Sequence, residues 1–215
     1  MIDQNLRDRA ADAYVATIPL VTLNVAWFIM SIPIITIIPA TAGLFYATNR
    51  LAHGKSAGWR TVVEGFRLYF WRSWLWGLLN VAVIVILASN LIFYSMSSSE
   101  WSLAARIMVG AVILIWLALQ MHTFPLMLEQ EQPKLLQALR NSFVILMKRP
   151  VHSMGTALVV AVIIGVSLLV IQPAWIFITA SLSAYLANRV TLSAIIKLTG
   201  KPAREIVDPG YNAGE

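Results

Sequence analysis

The sequence contains no cysteine and few charged residues, and both shortages narrow the possible functions. Without cysteine, the chain has no disulfide, no thiolate metal ligand and no thiol nucleophile. Only 12% of its 215 residues are Asp, Glu, Lys or Arg, whereas about 25% is usual in a soluble domain. The hydrophobic share is 59% and the mean hydropathy is +0.73. This composition indicates a membrane protein.

The charge-free stretches are long and few, which predicts helices that cross a membrane. They are Ala13–Asn49, Ser73–Ser99, Ile107–Leu128 and Pro150–Asn188. A membrane-spanning helix needs about 20 apolar residues, so each stretch can hold at least one. The charged residues before the first stretch, and its length, disfavour a cleavable signal peptide. The predicted fold class is an all-α membrane protein.

The first and last stretches are each long enough for two crossings, and each has a proline near its middle. Pro33 and Pro173 lack the backbone donor that a helix needs, so a helix kinks or ends there. Each stretch is therefore either a tight helical hairpin or one kinked helix with an apolar extension. Three hairpins give six spans, at about residues 14–32, 34–50, 74–95, 103–128, 154–172 and 174–196. A single crossing by the first stretch would leave five.

The distribution of lysine and arginine predicts the orientation of the chain. With reversals near Pro33, Ser97–Ser99 and Pro173 on the outer face, all 16 basic residues except Arg106 lie inside. Lysine and arginine near the ends of spans set orientation in this way. We expect both long loops and the C-terminus in the cytoplasm, and the N-terminus there too if the first stretch is a hairpin. The basic residues of the cytoplasmic segments then account for the net charge of +6, which gives no reason to expect nucleic acid as a partner.

Both cytoplasmic loops have the pattern of basic amphipathic helices, at about residues 57–72 and 133–148. Apolar side chains recur every three or four residues in both, with arginine or lysine on the other side. These apolar positions are Trp59, Val62, Val63, Phe66 and Phe70, and then Leu135, Leu136, Leu139, Phe143, Leu146 and Met147. Such helices lie in the membrane interface, where anionic lipids attract the basic residues. We predict one domain, residues 1–199, of hairpins joined by interfacial helices, followed by a solvated tail at 200–215.

Two of the predicted hairpins end in similar segments. The first is Tyr46-Ala-Thr-Asn49-Arg50 and the second is Tyr185-Leu-Ala-Asn188-Arg189. Together with the alternation of hairpins and basic helices, the similarity suggests a loose internal repeat. The shared tyrosine, asparagine and arginine are also compatible with chance, so both interpretations stay open.

Polar side chains inside the predicted spans are the candidates for function, because ionisable groups are nearly absent there. His122 is either a proton-sensing or substrate-binding imidazole, or a neutral histidine bonded to a neighbouring helix. Asn24 and Asn80 either border a solute path or bond helices to each other. Pro125 loosens the backbone hydrogen bonding close to His122.

No group of residues is spaced for catalysis or for a cofactor. The three histidines are isolated in the sequence, which disfavours a metal site. Glu129 and Glu131 flank a loop, and we expect both to be solvated. The segment GKSAGW lacks the upstream glycine of a phosphate-binding loop. We expect no enzyme, no metal and no cofactor.

The segment LNVAWFIMSIPIITIIPATAGLFYATNRL carries a more specific pattern, in which Asn and Trp precede a Pro-x-x-Thr and a Pro-Ala-Thr-Ala box. The residues are Asn24, Trp27, Pro33, Thr36, Pro39, Ala40, Thr41 and Ala42. This pattern resembles the opening of the YesL-like family of uncharacterised bacterial membrane proteins (domain of unknown function 624). Weaker similarities follow at FPLMLE and SLSAYLANRV, up to about Thr199. His122 stands where the family would have an aromatic residue.

The resemblance implies a bacterial cytoplasmic-membrane protein of five or six helices, linked with carbohydrate-uptake or glycan-degradation genes. Our first hypothesis is a non-enzymatic accessory protein that contacts the lipid bilayer and a partner, such as ABC transporter subunits or a second copy. The alternative is a small-solute transporter or channel, since discontinuous helices often border solute sites. The candidate functional positions are Asn24, Pro33, Thr36, Pro39, Thr41, Asn80, His122 and Pro125.

Overall fold

The computed structural model describes the backbone of residues 2–200 and the side chains of residues 17–171 and 173–200. Within this part of the chain, every regular element is helical. The helices are α1 (Ile2–Ser31), α2 (Ile37–Ala52), α3 (Trp59–Met96), α4 (Ser102–Leu128), α5 (Leu135–Lys148), α6 (Pro150–Leu169), α7 (Gln172–Ala174) and α8 (Ala180–Thr199). The predicted all-α class is confirmed. Most of the predicted solvated tail, residues 201–215, lies outside the described residues.

Three of the helices, α3, α4 and α6, are long and apolar enough to cross a membrane. A shorter apolar helical stretch covers Thr17–Ser31 in α1. The chain is therefore a membrane-embedded helical protein by the length and composition of its helices.

The first apolar stretch is a hairpin and not one kinked helix. Helix α1 ends at Ser31, and a 3₁₀ turn at Ile34–Thr36 leads into α2. Across the turn, the Trp27 indole Nε1 donates a hydrogen bond to Thr41 Oγ1 at 3.1 Å. This contact requires α1 and α2 to run antiparallel on either side of Pro33.

The last apolar stretch also reverses direction. Helix α7 and a π-helical turn, Trp175–Thr179, connect α6 to α8 next to Pro173. Thr179 Oγ1 donates to Ser167 Oγ at 2.7 Å, which joins the two sides of the turn. π-helical turns occur frequently at functional sites.

Helices α3 and α4 form the second hairpin, reversing near Ser97–Ser99 as predicted. The Trp76 indole donates to Gln120 Oε1 at 2.9 Å. One turn further along, the Trp116 indole donates to Asn80 Oδ1 at 3.2 Å. The two bonds keep the helices antiparallel.

One helix stands where the sequence predicts two. The interfacial helix predicted at 57–72 and the span predicted at 74–95 are a single α-helix, Trp59–Met96. The prediction of a separate interfacial helix at residues 57–72 is therefore wrong. No proline occurs between Pro39 and Pro125, so nothing interrupts the backbone hydrogen bonds where charge gives way to apolar residues.

The second predicted interfacial helix, at 133–148, is a separate element, α5. Arg149 lies between α5 and α6, and its backbone φ is extended and not helical. Pro150 begins α6. Proline is welcome in the first turn of a helix, where its missing donor has no partner in any case. The difference between the two loops therefore follows from one proline.

Helix α2 packs closely against the first half of α3. A Cβ atom at Gly43 would lie 2.3 Å from the Val62 carbonyl oxygen, and one at Gly77 would lie 2.5 Å from Ile38 Cγ2. Beyond this contact, Leu78–Met96 adds roughly 28 Å of helix at 1.5 Å per residue. The α3–α4 hairpin therefore extends well past the turn of the first hairpin.

The core is centred on Phe124 of α4, which is fully buried. Its ring centroid lies 5.1 Å from that of Trp76, 5.3 Å from Phe45 and 6.0 Å from Tyr69. Aromatic pairs at such separations contribute about 0.5–1.5 kcal/mol each beyond the area they bury. This cluster holds α2, α3 and α4 together.

Candidate functional site

The C-terminal ends of α2 and α4 meet the middle of α8 at a buried polar group of residues, which we call the Glu129 cluster. It consists of Asn49 and His53 of α2, Glu129 directly after α4, and Asn188 of α8. Asn49 Nδ2 donates to Glu129 Oε1 at 2.9 Å and to Asn188 Oδ1 at 3.1 Å. His53 Nε2 lies 2.9 Å from the same Glu129 oxygen. Asn49, which bonds to both Glu129 and Asn188, therefore connects all three hairpins.

The two asparagines of this cluster are the corresponding residues of the two similar segments. Both side chains are fully buried. Asn188 Nδ2 also donates to Phe45 O at 3.1 Å and to Thr48 Oγ1 at 3.0 Å. Their direct contact gives a common structural reason for asparagine at both positions.

Glu129 is not solvated, and that expectation is wrong. Its side chain is only 7% exposed, and Oε1 takes the bonds from α2, while Oε2 is buried without a hydrogen-bond partner. A carboxylate is buried only when it is paired, because desolvation of the charge is costly. Glu131, two residues later, is exposed as expected.

His122 belongs to a second buried polar group, formed by α4, α6 and α8. Its Nδ1 lies 2.8 Å from Thr191 Oγ1 and its Nε2 lies 3.0 Å from Ser153 Oγ. The Thr191 hydroxyl already donates to Ala187 O at 2.8 Å, so it accepts from Nδ1–H. Nε2 then accepts from the Ser153 hydroxyl, and both nitrogens of a neutral imidazole are satisfied.

Asn24 of α1 bonds to the π-helical turn. Its Nδ2 donates to Trp175 O at 2.9 Å and to Ile176 O at 2.7 Å, and its Oδ1 accepts from the Ser181 backbone N–H at 2.8 Å. A turn that departs from regular α-helical bonding leaves backbone groups in need of partners. The fully buried Asn24 amide supplies them.

Thr36 and Thr41, the two threonines of the Asn24–Ala42 pattern, form hydrogen bonds that hold the turn of the first hairpin. Thr36 Oγ1 lies 2.5 Å from Met30 O and 2.6 Å from Pro33 O. Thr41 accepts from the Trp27 indole. The residues of this pattern therefore supply the hydrogen bonds that stabilise the reversal of the chain.

The other candidate positions also serve helix contacts. Asn80 Nδ2 donates to Trp76 O at 2.8 Å and to Gln120 Oε1 at 3.3 Å, which ties α3 to α4. Pro39 is buried in the first turn of α2. Pro125 lies within α4 without ending it, and the helix continues to Leu128.

The candidate positions thus fall into separate hydrogen-bonded groups and do not form one site. Sequence reasoning missed His53 and Glu129, which only the fold brings together. The one signal that pointed to this region was the pair of similar segments containing Asn49 and Asn188. Among the residues that the structure describes, no group of three or more His, Asp or Glu side chains could hold a metal ion.

Comparison with known proteins adds one finding. Residues 20–91 match the model of a family described as a protein of unknown function, DUF624. No curated protein and no solved structure matches the chain. The matched residues include the whole pattern from Asn24 to Ala42, so the resemblance to this family is confirmed for residues 20–91, about a third of the chain.

Proposed function

We propose that this chain is a non-enzymatic accessory protein of the bacterial cytoplasmic membrane, associated with carbohydrate uptake. In this proposal it crosses the bilayer six times, with both long loops and both termini in the cytoplasm. The observation that supports it best is the use of the buried polar side chains. Asn24 and His122, which are buried, and Asn80, which is half-buried, are bonded to neighbouring helical elements, which suits a scaffold better than a catalytic centre.

The surface available to partners includes one side of α5. Ala138 and Ile145 on one side of this helix are buried, and Ser142 Oγ lies 3.1 Å from Thr123 Oγ1 of α4. The other side exposes apolar residues with basic residues beside them. They are Leu136, Phe143 and Met147, with Arg140 and Lys148. Such a surface fits an anionic bilayer surface, and also the membrane-embedded subunits of an ABC transporter.

The proposed role is tested by affinity purification of the full chain from its native membrane. We expect a carbohydrate ABC transporter subunit in stoichiometric amount, and less of it with Phe143→Glu. The control is Leu68→Glu, which changes an exposed apolar residue in the first half of α3, outside the predicted spans. Recovery of the chain alone, or with only a second copy, would contradict the transporter-accessory role.

A solute transporter or channel is the second candidate, and one observation favours it. Asn24, about two turns before the end of α1, bonds to the π-helical turn beside Pro173, so the break of the last hairpin packs against α1. Discontinuous helices border the solute sites of many transporters. Reconstituted vesicles would show saturable uptake of a solute, reduced by Asn24→Leu. Vesicles that take up no more solute than protein-free vesicles would argue against this candidate.

A further inference from the structure

The second half of α3, Leu78–Met96, has one side packed towards α4 and another that is exposed. The packed side continues from Trp76 and Asn80, which bond to α4. Its further members are half-buried and are Val83, Leu87 and Tyr94. The neighbouring side contains Ile86 at 59% exposure and Phe93 at 66%. This exposed side is apolar except at one position.

That position is Asn90, which is exposed one turn after Ile86 and one turn before Phe93. An amide side chain offers two N–H donors and a carbonyl oxygen that accepts. One N–H of Asn90 donates to Ile86 O of its own helix at 2.8 Å. Among the described residues, none bonds to the second N–H or to Oδ1. The amide therefore keeps one donor and one acceptor for a partner.

The free donor and acceptor of Asn90 stand where lipid cannot satisfy them. Asn90 lies six residues before the end of α3 at Met96, which is roughly 9 Å along the helix. The stretch Ser73–Ser99 around it contains no charged residue. Acyl chains neither donate nor accept hydrogen bonds, so an unpaired amide among them is destabilising. Asparagine side chains join membrane helices by hydrogen bonds for this reason.

The chemistry of the amide indicates which partner would satisfy it. The partner group must accept one bond and donate another at the same depth in the bilayer, and a second amide does both. Two copies inserted in the same orientation meet this condition through Asn90 itself, because a twofold axis along the bilayer normal relates identical residues at equal depth. The bond from Asn49 to Asn188, at 3.1 Å, is an amide pair of this kind within the chain.

We infer that two copies of this chain associate in the membrane through the second half of α3. The two Asn90 side chains bond to each other across the twofold axis, and Ile86 and Phe93 pack one turn to either side. The inference rests on α3 crossing the bilayer and not on the carbohydrate-uptake role. In excess detergent the copies separate by mass action, so the tests use bilayers.

Single-cysteine cross-linking tests which side of α3 meets the second copy, because the chain has no cysteine of its own. The positions on the proposed side are Ile86→Cys and Phe93→Cys. The controls are Val85→Cys and Ile92→Cys, at 56% and 60% exposure, on the side turned away from α4. Since a disulfide needs its Cβ atoms about 4 Å apart, we expect several-fold more cross-linked dimer on the proposed side. Equal cross-linking at all four positions, or more at the controls, would overturn the inference.

The amide itself is tested by Förster transfer between labelled copies in vesicles, at decreasing ratios of protein to lipid. Asn90→Leu should weaken the association about threefold to tenfold, the range that one or two interhelical bonds give. Asn90→Gln, which keeps an amide, should retain it. Ser95→Leu is the control, because Ser95 is exposed on another side of α3 and bonds to Leu91 O of its own helix. Association of Asn90→Leu equal to that of the unchanged chain would overturn the inference.

These results are separable from the transporter-accessory role. The vesicles contain only the purified chain, so absence of association there would overturn the dimer and leave the accessory role unaffected. Purification from the native membrane without a transporter subunit would contradict the accessory role and leave the dimer unaffected.

Discussion

Asn49 donates a hydrogen bond to Asn188 across 139 positions of the chain, and both side chains are fully buried. The bond joins the first hairpin to the third at the point where Glu129 of the second also bonds. Because each of these residues is held by the others, loss of one leaves buried polar groups unpaired. The cluster is therefore expected to act as a unit in stability.

Asn188→Ala should lower the free energy of unfolding by about 1–3 kcal/mol, since Phe45 O, Thr48 Oγ1 and Asn49 Nδ2 would each lose a partner. The measurement is thermal unfolding in detergent. Asn90→Ala is the matched control, because Asn90 is exposed on α3 and bonds to its own helix at Ile86 O. Equal effects of the two substitutions would contradict a special role for the cluster.

Gly43→Ala should destabilise the protein by about 1–3 kcal/mol, because the new methyl would clash with the Val62 carbonyl oxygen. At Gly110 of α4, a Cβ atom would meet nothing within 4 Å. Gly110→Ala should therefore be neutral or stabilising by up to about 1 kcal/mol, through helix propensity. Denaturation of both variants under one condition gives the comparison. A tolerated Gly43→Ala would mean that α2 and α3 are further apart than described.

Asn24→Leu should weaken the attachment of α1 to the π-helical turn, since three hydrogen bonds are lost. Interhelical bonds within membranes contribute about 0.6 kcal/mol on average, so we expect a loss of about 1–3 kcal/mol in unfolding free energy. Thr22→Val is the control, because Thr22 bonds within its own helix at Ile18 O. If both variants unfold alike, the amide has no structural role there.

The orientation can be tested directly, because the chain has no cysteine of its own. Single substitutions Lys55→Cys and Lys148→Cys should be labelled only from the cytoplasmic side of intact cells or sealed vesicles. Ser98→Cys, at the turn of the second hairpin, should be labelled only from the other side. Labelling of Lys55→Cys and Lys148→Cys from opposite sides would exclude the six-span arrangement.

The helix class and the reversals were predictable because their causes are local in the sequence. Pro33 and Pro173 interrupt backbone hydrogen bonding wherever they stand, and charge-free length marks the apolar helices. The sequence pattern does not predict the continuity of α3, because the change from charged to apolar residues near Arg72 resembles the boundary between two helices. A helix ends only where its backbone bonding is interrupted, and no proline is present there.

The Glu129 cluster is only partly predictable because its bonds join distant parts of the chain. Glu129 looks like any loop carboxylate, and its burial depends on Asn49 and His53, which come from another hairpin. Local pattern carries no information on such pairing. The recurrence of asparagine in the two similar segments indicates Asn49 and Asn188, but the acid that bonds to Asn49 can be found only from the fold.

The overhang of the α3–α4 hairpin determines how the surrounding lipids must adjust. Acyl chains beside the first hairpin meet a shorter apolar wall than those beside the second. An overhang of roughly 28 Å is close to the whole hydrocarbon thickness of about 30 Å, too large for thinning or helix tilt at a fraction of a kcal/mol per ångström. The exposed apolar residues of the overhang, which include Val81, Ile84 and Ile92, must therefore be covered by acyl chains or by another protein and not by the first hairpin.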